Sequence, residues 1–304
     1  MIYTVTFNPS VDYIVRLDAL EIGALNRTSD TAKYAGGKGI NVSRILNALE
    51  VPSTALGFVG GFTGTFIEET LQSQGIHHDF IKVMGDTRIN IKLKTGEETE
   101  INAAGPIIDT SDIDRLKDQL SKLTTEDHVV FAGSVPSGHD NLYEKLTQLL
   151  DSKGIEFTID AEGDKLTSTL KYRPYLIKPN LFELEGITGK KPSTKAEMIE
   201  AATGLLDLGA KNILLTLGSD GALFINPEHR YYVPSPEGTL KNSVGAGDST
   251  VAGFISRKGH PITEQLRYAI ACGSATAFSD DLATRGDIEA LLDQIEIQTI
   301  EEVK

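Results

Sequence analysis

From about residue 111 the chain alternates between amphipathic and continuously apolar segments, and this alternation most constrains the fold. A helical pattern near 111–122 is followed by a strand at 129–132, a helix near 141–152, and strands at 155–159 and 175–177. Strands that are apolar on both faces need cover on both faces, so βαβα order of this kind implies a mostly parallel sheet between two layers of helix. Strand twist makes the crossovers right-handed. Residues 2–7 read as another such strand, 213–217 and 223–225 as a hairpin-like pair, and 262–278 and 286–295 as closing helices. At 304 residues, one α/β domain with an appended piece fits the length as well as two domains do.

Ligands of a parallel sheet collect beyond the carboxyl ends of its strands. Four segments fall there: Asp12 after NPSV, GSVPSG at 133–138, KPNLFE at 178–183 and TLGSDG at 216–221. Two glycine clusters add helix starts. In NSVGAGDST, residues 242–250, either Gly247 or Asp248 opens a helix whose buried face is Val251, Ala252, Phe254 and Ile255; Arg257 and Lys258 suit its end, and Gly259 and Pro261 its stop. The N–H groups at such a start are unpaired and partly positive, and Gly245 and Gly247 remove side chains that would keep an anion away. A carboxylate beside an anion hole is a poor choice for a mere cap. It suits a general base that deprotonates a hydroxyl next to a phosphate, and Asp248 is the candidate. The second cluster, GGKGIN at 36–41, leads into Val42, Ile45, Leu46 and Leu49 at helical spacing. Neither cluster has the spacing of a P-loop or of a dinucleotide fingerprint. GFVGGFTG at 57–64 reads as punctuation between a strand and a helix.

Short segments of β character and mixed polarity at 13–17 and 28–34, with a hairpin at 87–93 and 98–102 around KTGE, suit a small exposed sheet rather than the core. The hairpin carries Arg88, Asn90, Glu100 and Asn102. A formal charge of −14 and a pI near 4.9 argue against a nucleic-acid groove or an anionic membrane surface, either of which needs clustered Lys and Arg. A single cysteine, Cys272 in AIACGSATAF, excludes an internal disulfide and reads as an inert core thiol. The start MIYTVTFNPS reads as a strand without a basic leader, and no apolar run approaches the roughly 20 residues of a membrane span. A cytoplasmic protein is expected.

Together, NPSVD, GGKGIN, KPNLFE, TLGSDG and NSVGAGDST resemble, in order and along essentially the whole chain, the motif set of the ribokinase-like carbohydrate kinases. The resemblance implies an α/β fold, a three-layer αβα sandwich with a mostly parallel central sheet and a small β-sheet lid, here a single domain over 1–304 with the lid at about 11–35 and 86–103. It implies a kinase using ATP and Mg²⁺, with Asp248 as catalytic base and Gly245, Ala246 and Gly247 as the anion hole. Lys178, Asn180, Thr216, Gly218, Ser219, Asp220, Gly221 and Gly247 fall on the nucleotide. Glu183 falls on the metal, through water. Asp12, Gly37, Lys38, Asn41, Asn90 and Ser134 fall on the sugar, and Arg27 and Arg88 on a phosphate that the sugar already carries. A guanidinium fork matches phosphate oxygens in any case. TRIN at 87–90, TEINAAGP at 99–106 and ATAFSDDLATR at 275–285 resemble the branch that phosphorylates fructose 1-phosphate, with tagatose 6-phosphate, or a catalytically silent sugar-phosphate sensor, as alternatives. A small sheet standing alone leaves edges and an apolar face, so a homodimer built lid against lid is also expected.

Overall fold

The computed structural model describes residues 1–300, apart from the side chain of Glu97. Its central sheet runs, from one edge, through the short strands His77–His78 and Ile81–Lys82, both against Ser53–Val59, and then Ile2–Thr6, His128–Ala132, Glu156–Asp160, Leu176–Ile177 and Ile213–Thr216, all parallel. Ala222–Ile225, Arg230–Val233 and Gln298–Thr299 complete it in antiparallel fashion. The register aligns Thr6, Ala132 and Asp160, the last residues of three neighbouring strands, with Gly57 near the end of a fourth. The platform on which a ligand would rest is therefore level.

Two apolar layers cover this sheet, because successive strand residues point to opposite faces. Val129, Phe131, Phe157 and Ile159 face Leu116, Leu120, Leu146 and Leu205 of the helices Thr110–Ser121, Leu142–Ser152 and Lys195–Asp207. Val130, Leu176, Leu214 and Phe224 face the helices Lys38–Ala48, Ala246–Ser256 and Ile262–Ala277. Cys272 lies in this second layer, and burial pushes its thiol far above the ordinary range, as an inert core thiol requires.

The four-stranded second sheet has the order Thr31–Gly36, Ser10–Arg16, Arg88–Thr95, Glu97–Asn102. Val11 and Ala35 of this sheet pack with Ile67 and Leu71 of the helix Gly61–Ser73 and with Ala55 and Val59 of the central sheet. The small sheet is thus anchored at one end and projects from the core at the other.

Two helices go beyond the sequence expectations, and one expected helix is divided. The segment 178–183 is not all loop: Asn180 caps a helix, Leu181–Thr188, in a reciprocal capping box with Glu183, and the S/T/D/N-x-x-E spacing was present in the sequence. The helix Lys195–Asp207 is a further element, and Thr194 and Glu197 repeat the signature at its start. The segment 286–295 divides into Arg285–Glu289 and a tight turn at Leu292–Gln294, because extended backbone at Ile295 must deliver the edge strand Gln298–Thr299.

Candidate active site

The level strand ends and the inner face of the small sheet enclose a cavity of about 560 Å³. Its walls include Asp12, Gly37, Lys38, Asn41, Arg88, Asn90, Ser134, Lys178, Asn180, Glu183, Gly245, Gly247 and Asp248. Asp12 and Asp248, 236 positions apart in sequence, therefore share one space.

Asp248 lies in the first turn of the helix Ala246–Ser256 and is 6% exposed. Gly245 opens that turn at φ +80, a left-handed conformation that a side chain disfavours. The first intrahelical bond is Ser249 N–H to Gly245 O, so the N–H groups of Gly247 and Asp248 precede the ladder and are available to an anion. Ala246 departs from expectation: its N–H is taken by Ser243 O at 3.3 Å, and it does not line the cavity. One Asp248 oxygen accepts from Asn41 Nδ2 at 2.8 Å. Burial, and then the charge of Asp160, push the Asp248 pKa up to about 6, against the opposing pull of Lys38, Asn41 and Lys178. A carboxylate tuned there is mostly ionised at neutral pH and basic enough to accept a proton.

Asp160 was missed by sequence reading and is the hub of this end of the cavity. It closes the strand Glu156–Asp160, and its Oδ1 lies 3.4 Å from both Lys38 Nζ and Lys178 Nζ. Burial alone would raise its pKa, but the two ammonium groups outweigh burial and hold it ionised. The same carboxylate raises the Lys38 pKa. Two cations are thereby fixed beside the helix start. The rule that picked out the other strand ends applies equally to Asp160, the last residue of EFTID.

Asp12 lies within the strand Ser10–Arg16 rather than in a loop beyond the first strand. Its Oδ1 accepts from Ser10 Oγ at 2.7 Å and from Asn90 Nδ2 at 3.2 Å. Gly36, on the neighbouring strand opposite Ser10, leaves room for this carboxylate, since a Cβ there would lie 2.3 Å from Asp12 Oδ2. Arg88 is half-buried, which lowers its pKa against the charge of Asp12, and it donates to Ala103 O at 3.2 Å. Thr6 Oγ1, Asn8 Oδ1, Arg88 Nε, Asn90 Oδ1 and Asp160 Oδ2 are buried without a hydrogen-bond partner, and all five residues line this cavity. Buried polar atoms of this kind are costly unless matched, so the cavity suits an occupant rich in hydroxyls and charge.

Not every candidate converges. Arg27 is exposed in the connection between Ser10–Arg16 and Thr31–Gly36, which Thr28 ties to Arg16 O at the far end of the small sheet. Thr216 pairs with Asn180 one strand over, and Gly218–Asp220 form a tight turn ending at Gly221; none of these five residues, Thr216, Gly218, Ser219, Asp220 and Gly221, lines the cavity. They flank it through the Asn180 bridge.

The model of the pfkB family carbohydrate kinases matches residues 5–285. The chain belongs to the pfkB family. Among curated members of that family, it is 44% identical to a 1-phosphofructokinase of Bacillus subtilis over 98% of this chain and 99% of the relative. It is 36% identical to a D-tagatose-1-phosphate kinase of Bacillus licheniformis over 98% and 99%. Phosphofructokinase-2 of Escherichia coli, solved in complex with substrates and products, superposes with a TM-score of 0.91 at 27% identity, covering 96% of this chain and 98% of that one. The family carries the ribokinase-like α/β fold expected from the motif set, and its members are phosphotransferases.

Proposed function

We propose that the chain transfers the γ-phosphoryl group of ATP to the C6 hydroxyl of D-fructose 1-phosphate, giving D-fructose 1,6-bisphosphate. The observation that carries this reading is a single cavity with a buried carboxylate in a helix-start anion hole at one end and a half-buried arginine at the other. The sugar spans the two. Its existing phosphate meets Arg88, its hydroxyls meet Asp12, Asn90 and Asn41, and its free primary hydroxyl faces Asp248. Asp248 takes the hydroxyl proton as the oxygen attacks phosphorus in line, and the N–H groups of Gly247 and Asp248, with Lys38 and Lys178, receive the charge spreading over the phosphoryl oxygens. Asn180, Thr216 and residues 218–221 border the path of the nucleotide.

Asp160 Oδ2, buried and unmatched, and Glu183 offer oxygen donors on the same wall, which suit Mg²⁺ held mostly by phosphate oxygens and water. Such an ion would neutralise triphosphate charge. Glu183 also caps its own helix, so its share is exerted through its outer oxygen or through water.

The choice of a 1-phosphate rests on the relatives. D-tagatose 1-phosphate, which presents the same C6 hydroxyl, is the second reading, favoured by the 36% relative. Purified protein with ATP and Mg²⁺ would be assayed on fructose 1-phosphate, tagatose 1-phosphate, fructose 6-phosphate, tagatose 6-phosphate and free fructose. Fructose 1-phosphate is expected to give the highest kcat/KM. A higher value for either tagatose ester would reassign the sugar and keep the mechanism; no turnover with any would leave only a sensor.

The small sheet acts as a lid in this reading, carried by one kinase domain in the cytoplasm. Its outer face exposes Ile89 and Ile101, and a second copy of the chain is the occupant we assign to that face.

A further inference from the structure

Pairing across the small sheet sets its inner side chains in rows: Ser10 beside Arg88, Asp12 beside Asn90 and Asn102, Ile14 beside Lys92 and Glu100. Lys92, Glu100 and Asn102 all line the main cavity. Lys92 is 6% exposed, and its Nζ meets Glu100 Oε1 at 2.6 Å while Glu100 Oε2 accepts from Asn102 Nδ2 at 3.0 Å. Burial alone would raise the Glu100 pKa, but the hydrogen bonds from Lys92 and Asn102 outweigh it, so Glu100 is an anion at neutral pH. An ammonium has three donors, and Glu100 takes one. Desolvating a Lys–Glu pair costs about as much as its attraction returns, and an apolar pair would join the two strands equally well. Joining strands is therefore a weak reason for this lysine to face the cavity.

Position supplies a stronger one. Lys92 also borders a small adjoining cavity with Asn41, Val244 and Leu282, so it stands beside the loop that leads into Gly245 and the anion hole. Arg88 begins the same strand and lies on the same face, bonded to Ala103 O. Four residue steps of strand separate them, roughly 13 Å, which two long side chains can narrow to the span of a six-carbon sugar. A sugar monophosphate can occupy one of these cations. A bisphosphate can occupy both.

Building on the fructose 1-phosphate reading above, we infer that Lys92 is a second anion-binding group of the lid, which meets the phosphate newly placed on the sugar, and that Glu100 is its built-in counter-anion. Glu100 holds the ammonium before transfer. After transfer it competes with the new phosphate and so limits retention of the bisphosphate product. Lys92 is then a residue that discriminates product from substrate, while Arg88 serves both.

Calorimetric titration without nucleotide would compare fructose 1-phosphate and fructose 1,6-bisphosphate on the wild type, Lys92→Met, Lys92→Arg and Glu100→Gln. Lys92→Met should weaken the bisphosphate roughly 10-fold or more, the effect of one charged hydrogen bond, and the monophosphate by under about threefold. Lys92→Arg should restore the difference, and Glu100→Gln should tighten the bisphosphate. Equal losses for both ligands in Lys92→Met, or a weakened bisphosphate in Glu100→Gln, would overturn the inference. If Lys92→Met binds nothing because the sheet fails to form, Glu100→Gln decides alone: a tighter bisphosphate supports the role, and an unchanged or weaker one removes it. A wild type that binds neither sugar phosphate would sink the substrate reading itself, whereas intact binding with equal variant losses sinks only the role of Lys92.

Discussion

The two ends of the cavity are built in opposite ways. At the helix start, Gly245, Gly247 and Asp248 are covalent neighbours on a helix buried in the core, and the groups that tune them, Asn41, Lys38, Lys178 and Asp160, are fixed at aligned strand and helix ends. At the small sheet, Asp12, Arg88, Asn90, Lys92 and Glu100 come from three strands that project from the core; Asp12 is held by Asn90, Lys92 by Glu100, and Arg88 by Ala103 O. A rigid end suits groups that must meet a transition state within a fraction of an ångström. A projecting end suits groups that choose and cover a substrate.

That division predicts which kinetic constant each end controls. The largest effect should come from Asp248→Asn, with kcat lowered roughly 10² to 10⁴-fold and nucleotide affinity nearly unchanged, measured by steady-state assay and calorimetry. A variant keeping more than about a third of wild-type kcat, with chemistry limiting the rate, would remove the carboxylate from its role as base.

Next in size, Arg88→Ala should weaken the sugar phosphate about 10- to 150-fold, from a lost charged hydrogen bond of roughly 1.5 to 3 kcal/mol, and should do so mainly in KM. If its kcat instead falls as far as that of Asp248→Asn, the two ends do not divide the work as described.

A smaller effect sharpens the picture of the rigid end. As the proposed base, Asp248 would have to be ionised to act, so kcat/KM should fall as pH drops through about 6, approaching tenfold per unit below it. Asn41→Ala removes a hydrogen bond that favours the ionised form, which raises the Asp248 pKa and moves the acid limb to higher pH. An unmoved limb would show that the limb belongs to another group.

The smallest change in chemistry is expected at the outer face of the lid. Light scattering on a dilution series should give the mass of a dimer, and Ile101→Lys, at a position 54% exposed, should shift it to monomer with kcat less affected than sugar-phosphate KM. A wild-type monomer at full activity would leave the lid without the partner assigned to it.

The sequence by itself determined what depends on neighbours along the chain. Apolar alternation marked the parallel strands, glycine beside carboxylate marked the helix start at Asp248, and the order of five motifs indicated the family, because each signal occupies a few consecutive residues whose local conformation it dictates. The same local logic covers the capping box Asn180–Glu183 and Asp160 at the end of EFTID. Only the tertiary structure decided which strand ends share a cavity, that Asp160 joins two lysines from residues 38 and 178, and that Ala246, Arg27 and residues 216–221 stay off its walls. It alone turned Lys92 inward beside Glu100, since a period of two says that residues 88, 90 and 92 share a face but not which face meets the core. Those outcomes depend on packing and desolvation between segments far apart in sequence, and no local pattern of residue types encodes the distances involved.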